Sequence, residues 1–274
     1  MKVLKTVEAV RAFRRSLPGS LGLVPTMGAM HEGHLSLVRL ARERCDAVLV
    51  SIYVNPTQFN STADYQTYPR ALEDDLAMLT SLDVAAVFQP TDRIIYPDGM
   101  VTTVKVAELG AHWEGAHRPG HFDGVATVVA RLLNITTPDL ACFGEKDYQQ
   151  LLVVRRLVRD LNMAVEIIGG PTIRETDGLA LSSRNALLTA PERSRAPHLK
   201  QALDNAARLI GQGRPAPQVL EDEIAALTDR GFEVDYLALV DGSTLEALSD
   251  PKPEARLLVA AHLGSVRLID NRAL

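Results

Sequence analysis

Short apolar runs that alternate with amphipathic helical patterns constrain the fold of this chain more than any other feature. Residues 21–24 are apolar, residues 34–44 carry apolar side chains at every third or fourth position, and residues 47–54 are rich in valine and isoleucine. This order predicts a strand, a helix and a second strand that is buried on both faces. The alternation continues, with helical patterns at 71–82, 122–134 and 147–161 and apolar runs at 84–88, 140–143 and 165–168. We therefore expect an α/β fold with a doubly wound, Rossmann-like parallel sheet, which binds ligands at the carboxyl ends of its strands.

The pattern changes after Gly169-Gly170-Pro171. A polar stretch at 174–185 precedes helical patterns at 192–210 and 217–228, and strand-like runs follow at 232–240, 256–261 and 266–269. Helices that come before strands indicate a smaller α+β domain. We place the boundary near Ile173, which gives an N-terminal domain of residues 1–173 and a C-terminal domain of residues 174–274.

The composition excludes several classes of protein. Hydrophobic residues make up 46% of the chain and charged residues 23%, the balance of a folded soluble protein rather than a disordered one. The net charge of −5 gives no general attraction to nucleic acid. Two cysteines, Cys45 and Cys142, are too few for a disulfide framework. No apolar run approaches a membrane helix, and the start lacks the apolar stretch of a secretion signal. We expect a cytoplasmic protein with no membrane or nucleic-acid partner.

One loop carries most of the chemistry that the sequence predicts. The stretch Pro25-Thr-Met-Gly-Ala-Met-His31-Glu-Gly33-His34 joins the first strand to the N-terminus of the first helix. Unpaired backbone N–H groups and the helix dipole favour anions at such a position. His31 and His34, three residues apart, would place two imidazoles beside a bound phosphate, and Gly33 would allow a flat group to approach the backbone. No Walker-type Gly-Lys and no Gly-x-Ser-x-Gly occurs in the chain.

Two other interpretations of the histidines stay open at this stage. A zinc site is one, with His112, His117 and His121 as further ligands, although zinc motifs on a helix space their histidines by four. A purely structural role for both imidazoles is the other. In its strand-to-helix context, however, the His-x-Gly-His sequence resembles the signature of the nucleotidylyl transferases and class I aminoacyl-tRNA synthetases, which cleave ATP between the α- and β-phosphates.

Further motifs make the resemblance more specific. The loop is followed, in order, by Asn55-Pro-Thr-Gln58-Phe, Tyr68-Pro-Arg70, Arg118-Pro-Gly-His121-Phe, Gly144-Glu-Lys146-Asp-Tyr-Gln-Gln150 and Asp177-Gly-Leu-Ala-Leu-Ser182-Ser-Arg184-Asn. Together these six pieces resemble the pantoate–β-alanine ligase family. The likeness runs from about residue 24 to residue 185 and returns weakly at 267–271.

The resemblance implies an AMP-forming ligase of pantothenate (vitamin B5) and coenzyme A biosynthesis. Its substrates would be ATP, pantoate and β-alanine, its ion Mg²⁺, and its assembly a homodimer, with the C-terminal domain as a lid over the active site. The pantoate carboxylate would attack the α-phosphate to form pantoyl adenylate, and the amine of β-alanine would then displace AMP. No protein nucleophile is needed, so catalysis would come from positioning and charge stabilisation.

The resemblance also implies roles for particular residues. The catalytic residues would be His34, His31, Lys146 and Arg184, and beside a triphosphate we expect the His34 imidazole to favour its charged form. Pantoate or the second substrate would contact Asn55, Gln58, Gln150, Arg118 and His121. Asp74 and Asp75 would bind Mg²⁺. ATP would contact Met27, Gly28, Ala29, Met30, His31, Glu32, Gly33, His34, Gly144, Glu145, Lys146, Asp147, Ile173, Leu181, Ser182, Ser183 and Arg184.

Simpler roles compete with several of these assignments. Lys146 stands between Glu145 and Asp147 and could form a solvated ion pair, and Asp147 is a good N-cap for the helix that follows. Asp74 and Asp75 could simply occupy a first helical turn. Three other functions also stay open: an adenylyl or cytidylyl transferase, a metal-dependent hydrolase, and a non-catalytic nucleotide-binding module.

Overall fold

The computed structural model describes residues 1–59 and 62–274. In the N-terminal half the strands and helices are β1 (Lys2–Leu4), α1 (Val7–Ser16), β2 (Leu21–Thr26), α2 (Glu32–Arg42), β3 (Ala47–Ile52), α3 (Thr62–Thr67), α4 (Leu72–Ser81), β4 (Ala86–Phe88), α5 (Asp92–Ile95), α6 (Glu114–His117), α7 (His121–Thr136), β5 (Leu140–Gly144), α8 (Tyr148–Asp160) and β6 (Glu166–Gly170). The C-terminal half contains α9 (Ala190–Arg195), α10 (His198–Gly211), α11 (Ala216–Asp229), β7 (Phe232–Val240), β8 (Arg256–Leu263) and β9 (Val266–Ala273). Short 3₁₀ turns occur at Pro56–Gln58, Glu145–Asp147 and Ser183–Leu187.

The first six strands form one parallel sheet in the order β1-β4-β3-β2-β5-β6. Helices α1, α7 and α8 pack on one face and helices α2 and α4 on the other, so the strands are buried from both sides. The doubly wound α/β fold is therefore confirmed. Because the chain reverses its direction of travel across the sheet between β2 and β5, the loops that follow these two strands diverge and leave a crevice between them.

The C-terminal half has its own three-stranded antiparallel sheet, in the order β7-β8-β9. Helices α10 and α11 cover it with a separate apolar cluster that includes Leu199, Leu203 and Leu227. This confirms the smaller α+β region. Val240 and Leu258 from its strands also pack into the core of the parallel sheet. The two halves thus share apolar contacts, and a domain boundary near Ile173 stays a prediction.

Some element boundaries differ from those that the sequence predicts. Helix α2 begins at Glu32 rather than at residue 34, because His31 caps it. The single helix predicted at 192–210 is two helices, α9 and α10, separated at Ala196 and Pro197, where proline cannot continue the hydrogen-bond ladder. The edge strand β1 was not expected, since its three residues are too short to show a period. Within the described parts of the chain, no helix has both the length and the apolar character needed to cross a bilayer.

Candidate active site

A cleft opens at the carboxyl ends of β2 and β5, the place where the strand order reverses. Both halves of the chain contribute to its walls. The predicted site residues that line it are Met27, His31, Gly33, His34, Asn55, Gln58, Arg118, His121, Gly144, Lys146, Asp147, Gln150, Ile173, Leu181, Ser182, Ser183 and Arg184. The structure therefore brings together residues that lie as far apart in the sequence as Met27 and Arg184.

The loop between β2 and α2 is held from beneath by a buried carboxylate. Asp75 is 1% exposed and accepts hydrogen bonds from the backbone N–H groups of Ala29 (3.0 Å) and Met30 (2.7 Å). The chain passes through the left-handed region at Gly28 (φ 82°) and Ala29 (φ 51°), and a Cβ at Gly28 would lie 2.9 Å from an oxygen of Asp75. Glycine thus permits the tight turn that brings the carboxylate against the loop. Burial raises the pKa of Asp75, and the two backbone N–H groups oppose that rise.

The imidazoles of His31 and His34 form a capping box at the start of α2. Nδ1 of His31 accepts from the Gly33 N–H (3.2 Å), and Nδ1 of His34 accepts from the His31 N–H (3.4 Å). The two rings stack with their centroids 4.0 Å apart. A neutral imidazole that accepts through Nδ1 carries its proton on Nε2. Each ring is thus left with an Nε2–H donor that its capping bond does not use.

The surroundings of both histidines disfavour the charged imidazole in the free protein. Burial is the main cause that lowers the pKa of His34 to about 3, and His31 and Lys146 lower it further. Burial and the Lys146 charge likewise lower the pKa of His31. In the free protein, burial and the nearby ammonium of Lys146 oppose a proton on His34, and a charged His34 beside a bound triphosphate stays a prediction. A neutral imidazole still donates a hydrogen bond to a phosphate oxygen.

The cap also changes the picture of the loop as an anion site. The N–H groups of Gly33 and His34 point to the ring nitrogen and the carbonyl of His31, and the N–H groups of Ala29 and Met30 point to Asp75. The sequence predicted unpaired backbone donors here, but most of them are already satisfied. An anion in this part of the cleft would therefore have to be bound mainly by side chains.

Lys146 lies on a 3₁₀ turn at Glu145–Asp147 and lines the cleft. Its Nζ is 3.9 Å from a carboxylate oxygen of Asp147. Its backbone is held by the C-terminal sheet: Nδ2 of Asn271, on β9, donates to the carbonyls of Glu145 and Lys146, each at 2.9 Å. Asp147 occupies the N-cap position of α8, as the sequence predicts, but its side chain makes no capping hydrogen bond. A residue of the C-terminal half thus holds the backbone of Lys146, which belongs to the N-terminal half.

The loop before α9 brings hydroxyl and guanidinium groups to the same end of the cleft. The Ser182 side chain accepts from the Arg184 N–H (3.2 Å) and begins the 3₁₀ turn at Ser183–Leu187. The Arg184 guanidinium lies 5.9 Å from the centre of the Tyr68 ring, and the Ser183 and Tyr68 hydroxyls are 3.4 Å apart. We call the group His31, His34, Lys146, Ser182, Ser183 and Arg184 the phosphate end of the cleft.

The other end of the cleft contains the side-chain amides of Gln58 and Gln150, and we call these two with Asn55 the acid end. Asn55 is 1% exposed, and its Nδ2 donates to Oε1 of Gln58 (3.1 Å) and to the Gly124 carbonyl (3.2 Å). At Gly124 a Cβ would lie 2.5 Å from the Thr57 carbonyl, so this glycine lets α7 approach the 3₁₀ turn at Pro56–Gln58. Asn55 caps that turn, with its side chain accepting from the Thr57 N–H.

Arg118 and His121 hold this end of the cleft together. The carbonyl of Gln58 accepts from the Arg118 guanidinium (3.0 Å) and lies 2.8 Å from Nδ1 of His121. Burial and the Arg118 charge lower the pKa of His121 to about 4, so its ring is neutral. Arg118 also pairs with Glu114, whose pKa is lowered to about 2 by Arg267 and Arg118 against the opposing effect of burial. Both predicted substrate contacts therefore have internal partners.

Seven predicted site residues do not line the cleft: Gly28, Ala29, Met30, Glu32, Asp74, Asp75 and Glu145. Met30 packs in the core beneath α2, and Glu32 forms a surface ion pair with Arg39. Asp75 holds the loop, and Asp74, beside it, is exposed. In these cases a sequence motif includes residues that shape the loop as well as residues that line the cleft.

Other residues of the site were missed. Val125, Val128, Val129 and Leu132 give the cleft an apolar wall, which a helical pattern alone cannot distinguish from ordinary core. Thr57, Tyr96, Asn271 and Arg267 act through hydrogen bonds to site residues or to their ion-pair partners. The weak return of the family likeness at 267–271 was the available signal for the last two. The hydroxyls of Thr57 and Tyr96 gave none.

The whole chain can be compared with known proteins now that its site is described. The family model for pantoate–β-alanine ligase matches residues 2–273. The chain belongs to the pantoate–β-alanine ligase family. A pantothenate synthetase from Cereibacter sphaeroides is 52% identical over 273 residues, 98% of each chain, and one from Paracoccus denitrificans is 54% identical over 255 residues, 93% of this chain and 90% of that protein.

Solved structures of the family agree with the fold. The crystal structure of pantothenate synthetase from Thermus thermophilus superposes with a TM-score of 0.94 at 49% identity and covers 99% of both chains. That of the pantoate–β-alanine ligase from Francisella tularensis, complexed with β-γ ATP and β-alanine, superposes with a TM-score of 0.86 at 38% identity, covering 100% of this chain and 97% of that one. This chain is accordingly an enzyme of the ligase family, whereas its homodimer and its lid motion stay predictions.

Proposed function

We propose that this enzyme condenses pantoate with β-alanine at the expense of ATP, with AMP and pyrophosphate as products and pantoyl adenylate as the intermediate. One observation carries the proposal: a single cleft joins a cationic, hydroxyl-rich phosphate end to an acid end that contains two neutral side-chain amides. The family membership and the Francisella tularensis relative's complex with β-γ ATP and β-alanine support it.

In the first step a carboxylate oxygen of pantoate attacks the α-phosphorus of ATP, and the bond to the β-phosphate oxygen breaks. Charge accumulates on the departing pyrophosphate. The Nε2–H groups of His31 and His34 would donate to phosphate oxygens, and Lys146 and Arg184 would neutralise the charge from the side. Neutral amides at Gln58 and Gln150 would orient the acid without neutralising the nucleophile.

In the second step the amine of β-alanine attacks the acyl carbon of the adenylate, a proton leaves the nitrogen, and AMP departs. The apolar wall of α7 would limit the access of water, which would otherwise hydrolyse the mixed anhydride. No side chain needs to bond covalently to the substrate. Positioning of the two reactants and stabilisation of the leaving phosphate account for the chemistry.

Magnesium would enter as the complex with ATP, since Mg²⁺ binds through substrate phosphates and one or two carboxylates. Asp75 does not fit the ligand role predicted from the sequence, because it is buried and lies outside the cleft wall. Both of its carboxylate oxygens also accept hydrogen bonds from backbone N–H groups. Asp74 as a ligand stays a prediction. Among residues 1–59 and 62–274, no three histidine, cysteine or acidic side chains are grouped to hold a metal.

Exchange of labelled pyrophosphate into ATP tests the adenylate directly. The purified enzyme, given ATP, Mg²⁺ and pantoate without β-alanine, should exchange label, and it should do so only when pantoate is present. Carboxyl-¹⁸O-pantoate in the full reaction should transfer one labelled oxygen to AMP. A nucleotidylyl transferase, a hydrolase or a nucleotide-binding module would show no pantoate-dependent exchange. An active enzyme that makes pantothenate without either signal would refute the intermediate.

A further inference from the structure

Two hydroxyls and two backbone groups behind the acid end together fix the orientation of the Asn55 amide. Its Oδ1 accepts from the Tyr96 hydroxyl (2.7 Å), the Thr57 hydroxyl (3.0 Å) and the Thr57 N–H (3.4 Å). Its Nδ2 donates to the Gly124 carbonyl. A backbone N–H only donates and a carbonyl only accepts, so rotating the amide by half a turn would set donor against donor and acceptor against acceptor.

The orientation of Asn55 in turn sets that of Gln58. Because Nδ2 of Asn55 is a donor, the Gln58 atom 3.1 Å away must be the acceptor Oε1. The Nε2 of Gln58 then lies on the other side of the amide, 3.0 Å from the sulfur of Met27 in the cleft wall. Gln58 therefore offers N–H donors to the cleft. Its backbone carbonyl is already held by Arg118 and His121, so the residue has little freedom to turn.

We propose that Tyr96, assisted by Thr57, is a positioning residue that presets Gln58 as a hydrogen-bond donor and so favours a carboxylate over its uncharged amide at the acid end. Tyr96 does not line the cleft; its hydroxyl donates to Asn55 and lies 2.9 Å from the Thr57 hydroxyl, so it reaches Gln58 through Asn55. Every oxygen of a carboxylate accepts a hydrogen bond, whereas a carboxamide exposes one acceptor and one donor. The inference rests on the proposed function, in which Gln58 contacts pantoate.

Three variants and one control test the proposal. Tyr96→Phe removes the hydroxyl and keeps the ring, Thr57→Val keeps the shape of the side chain without its hydroxyl, and the double variant removes both. Tyr148→Phe is the matched control, because the Tyr148 hydroxyl also donates to an oxygen 2.7 Å away, the Gly242 carbonyl, but outside the cleft. Thermal unfolding of all four proteins shows whether each folds.

Steady-state kinetics with pantoate and ATP varied separately then give the outcome. Tyr96→Phe should raise KM for pantoate about threefold to tenfold, the effect of one lost hydrogen bond, while KM for ATP stays within about twofold. The double variant should raise KM for pantoate further. In Tyr96→Phe and in the double variant, the ratio of the inhibition constant of pantoamide to KM for pantoate should fall. Equal effects on the two KM values, or kinetics like those of Tyr148→Phe, would overturn the proposal. Pantoate-dependent pyrophosphate exchange by the unmodified enzyme tests the proposed function separately.

Discussion

The two ends of the cleft are built on different plans. The acid end belongs to the N-terminal half, and there Asn55 and Gln58 are held by hydrogen bonds to each other, to Tyr96, to Arg118 and to the Gly124 carbonyl. The phosphate end is assembled across the junction, with Lys146 on a turn that β9 holds and Arg184 on a loop after residue 173. A neutral, preset surface suits a small acid, whereas charged side chains on turns suit a ligand that brings its own charge.

The largest expected effect is at the phosphate end. His34→Ala removes a positioned Nε2–H donor and should lower the rate of adenylate formation by about a hundredfold or more, in line with the loss of one oxyanion donor. Rapid-quench measurement of a single turnover gives this rate. His198→Ala is the control, since that ring contacts the Arg195 carbonyl outside the cleft and should leave the rate unchanged. An unchanged rate in His34→Ala would remove its catalytic role.

Asp75→Asn separates support of the loop from metal binding. An amide would set its NH₂ group against one backbone N–H of Ala29 or Met30, so we expect kcat/KM for ATP to fall about tenfold to a hundredfold. The dependence on Mg²⁺ concentration should stay as it is in the unmodified enzyme. Asp74→Asn, on the exposed neighbour, is the comparison. A defect in Asp75→Asn that excess Mg²⁺ repairs would assign the carboxylate to the metal.

Acid should destabilise both ends together, because His34 and His121 are buried with pKa values of about 3 and about 4. Both lie below the pKa near 6.5 of an unfolded histidine, so the unfolded chain takes up protons first and stability is lost as the pH falls from about 6.5 towards these values. Each histidine should account for a loss of up to about 2 kcal/mol in the free energy of unfolding between about pH 7 and about pH 5. Urea unfolding over this range measures the loss, and His121→Gln should show a smaller one. An equal slope in both proteins would contradict the burial effect.

Asn271→Ala tests whether the contact between β9 and the Lys146 turn affects ATP binding without affecting pantoate binding. It deletes the two hydrogen bonds to the Glu145 and Lys146 carbonyls and the one that Oδ1 accepts from Arg256. We expect KM for ATP to rise about tenfold while KM for pantoate stays within about twofold. Asn134→Ala removes a side-chain bond to the Ala130 carbonyl on α7 and serves as the control. Equal rises in both KM values would show that the two ends are not independent.

The smallest effect is expected at Glu32, which the family likeness assigned to ATP. The structure places it in an exposed ion pair with Arg39, and surface pairs of this kind contribute little. Glu32→Gln should change KM for ATP by less than about twofold. A tenfold rise in KM for ATP, measured by the same kinetics, would support the ATP contact that the family likeness assigned to Glu32.

The strand and helix order of the parallel sheet could be predicted because apolar runs and helical periods are local properties of the sequence. Most of the residues that line the cleft were predicted from the motifs by which the sequence resembles the family. The neutral state of His34 could not be predicted, since it depends on burial and on Lys146, which is distant in sequence. The same holds for Asp75, whose two partners lie 45 and 46 residues away along the chain.

The hydrogen bonds by which Asn271 holds the Lys146 turn have a practical consequence. A small molecule that wedged between β9 and this turn would break the two amide–carbonyl contacts and shift the Lys146 ammonium without occupying the nucleotide's place. Such a compound would weaken ATP binding, and a high cellular ATP concentration would not outcompete it in the way that it outcompetes a nucleotide mimic.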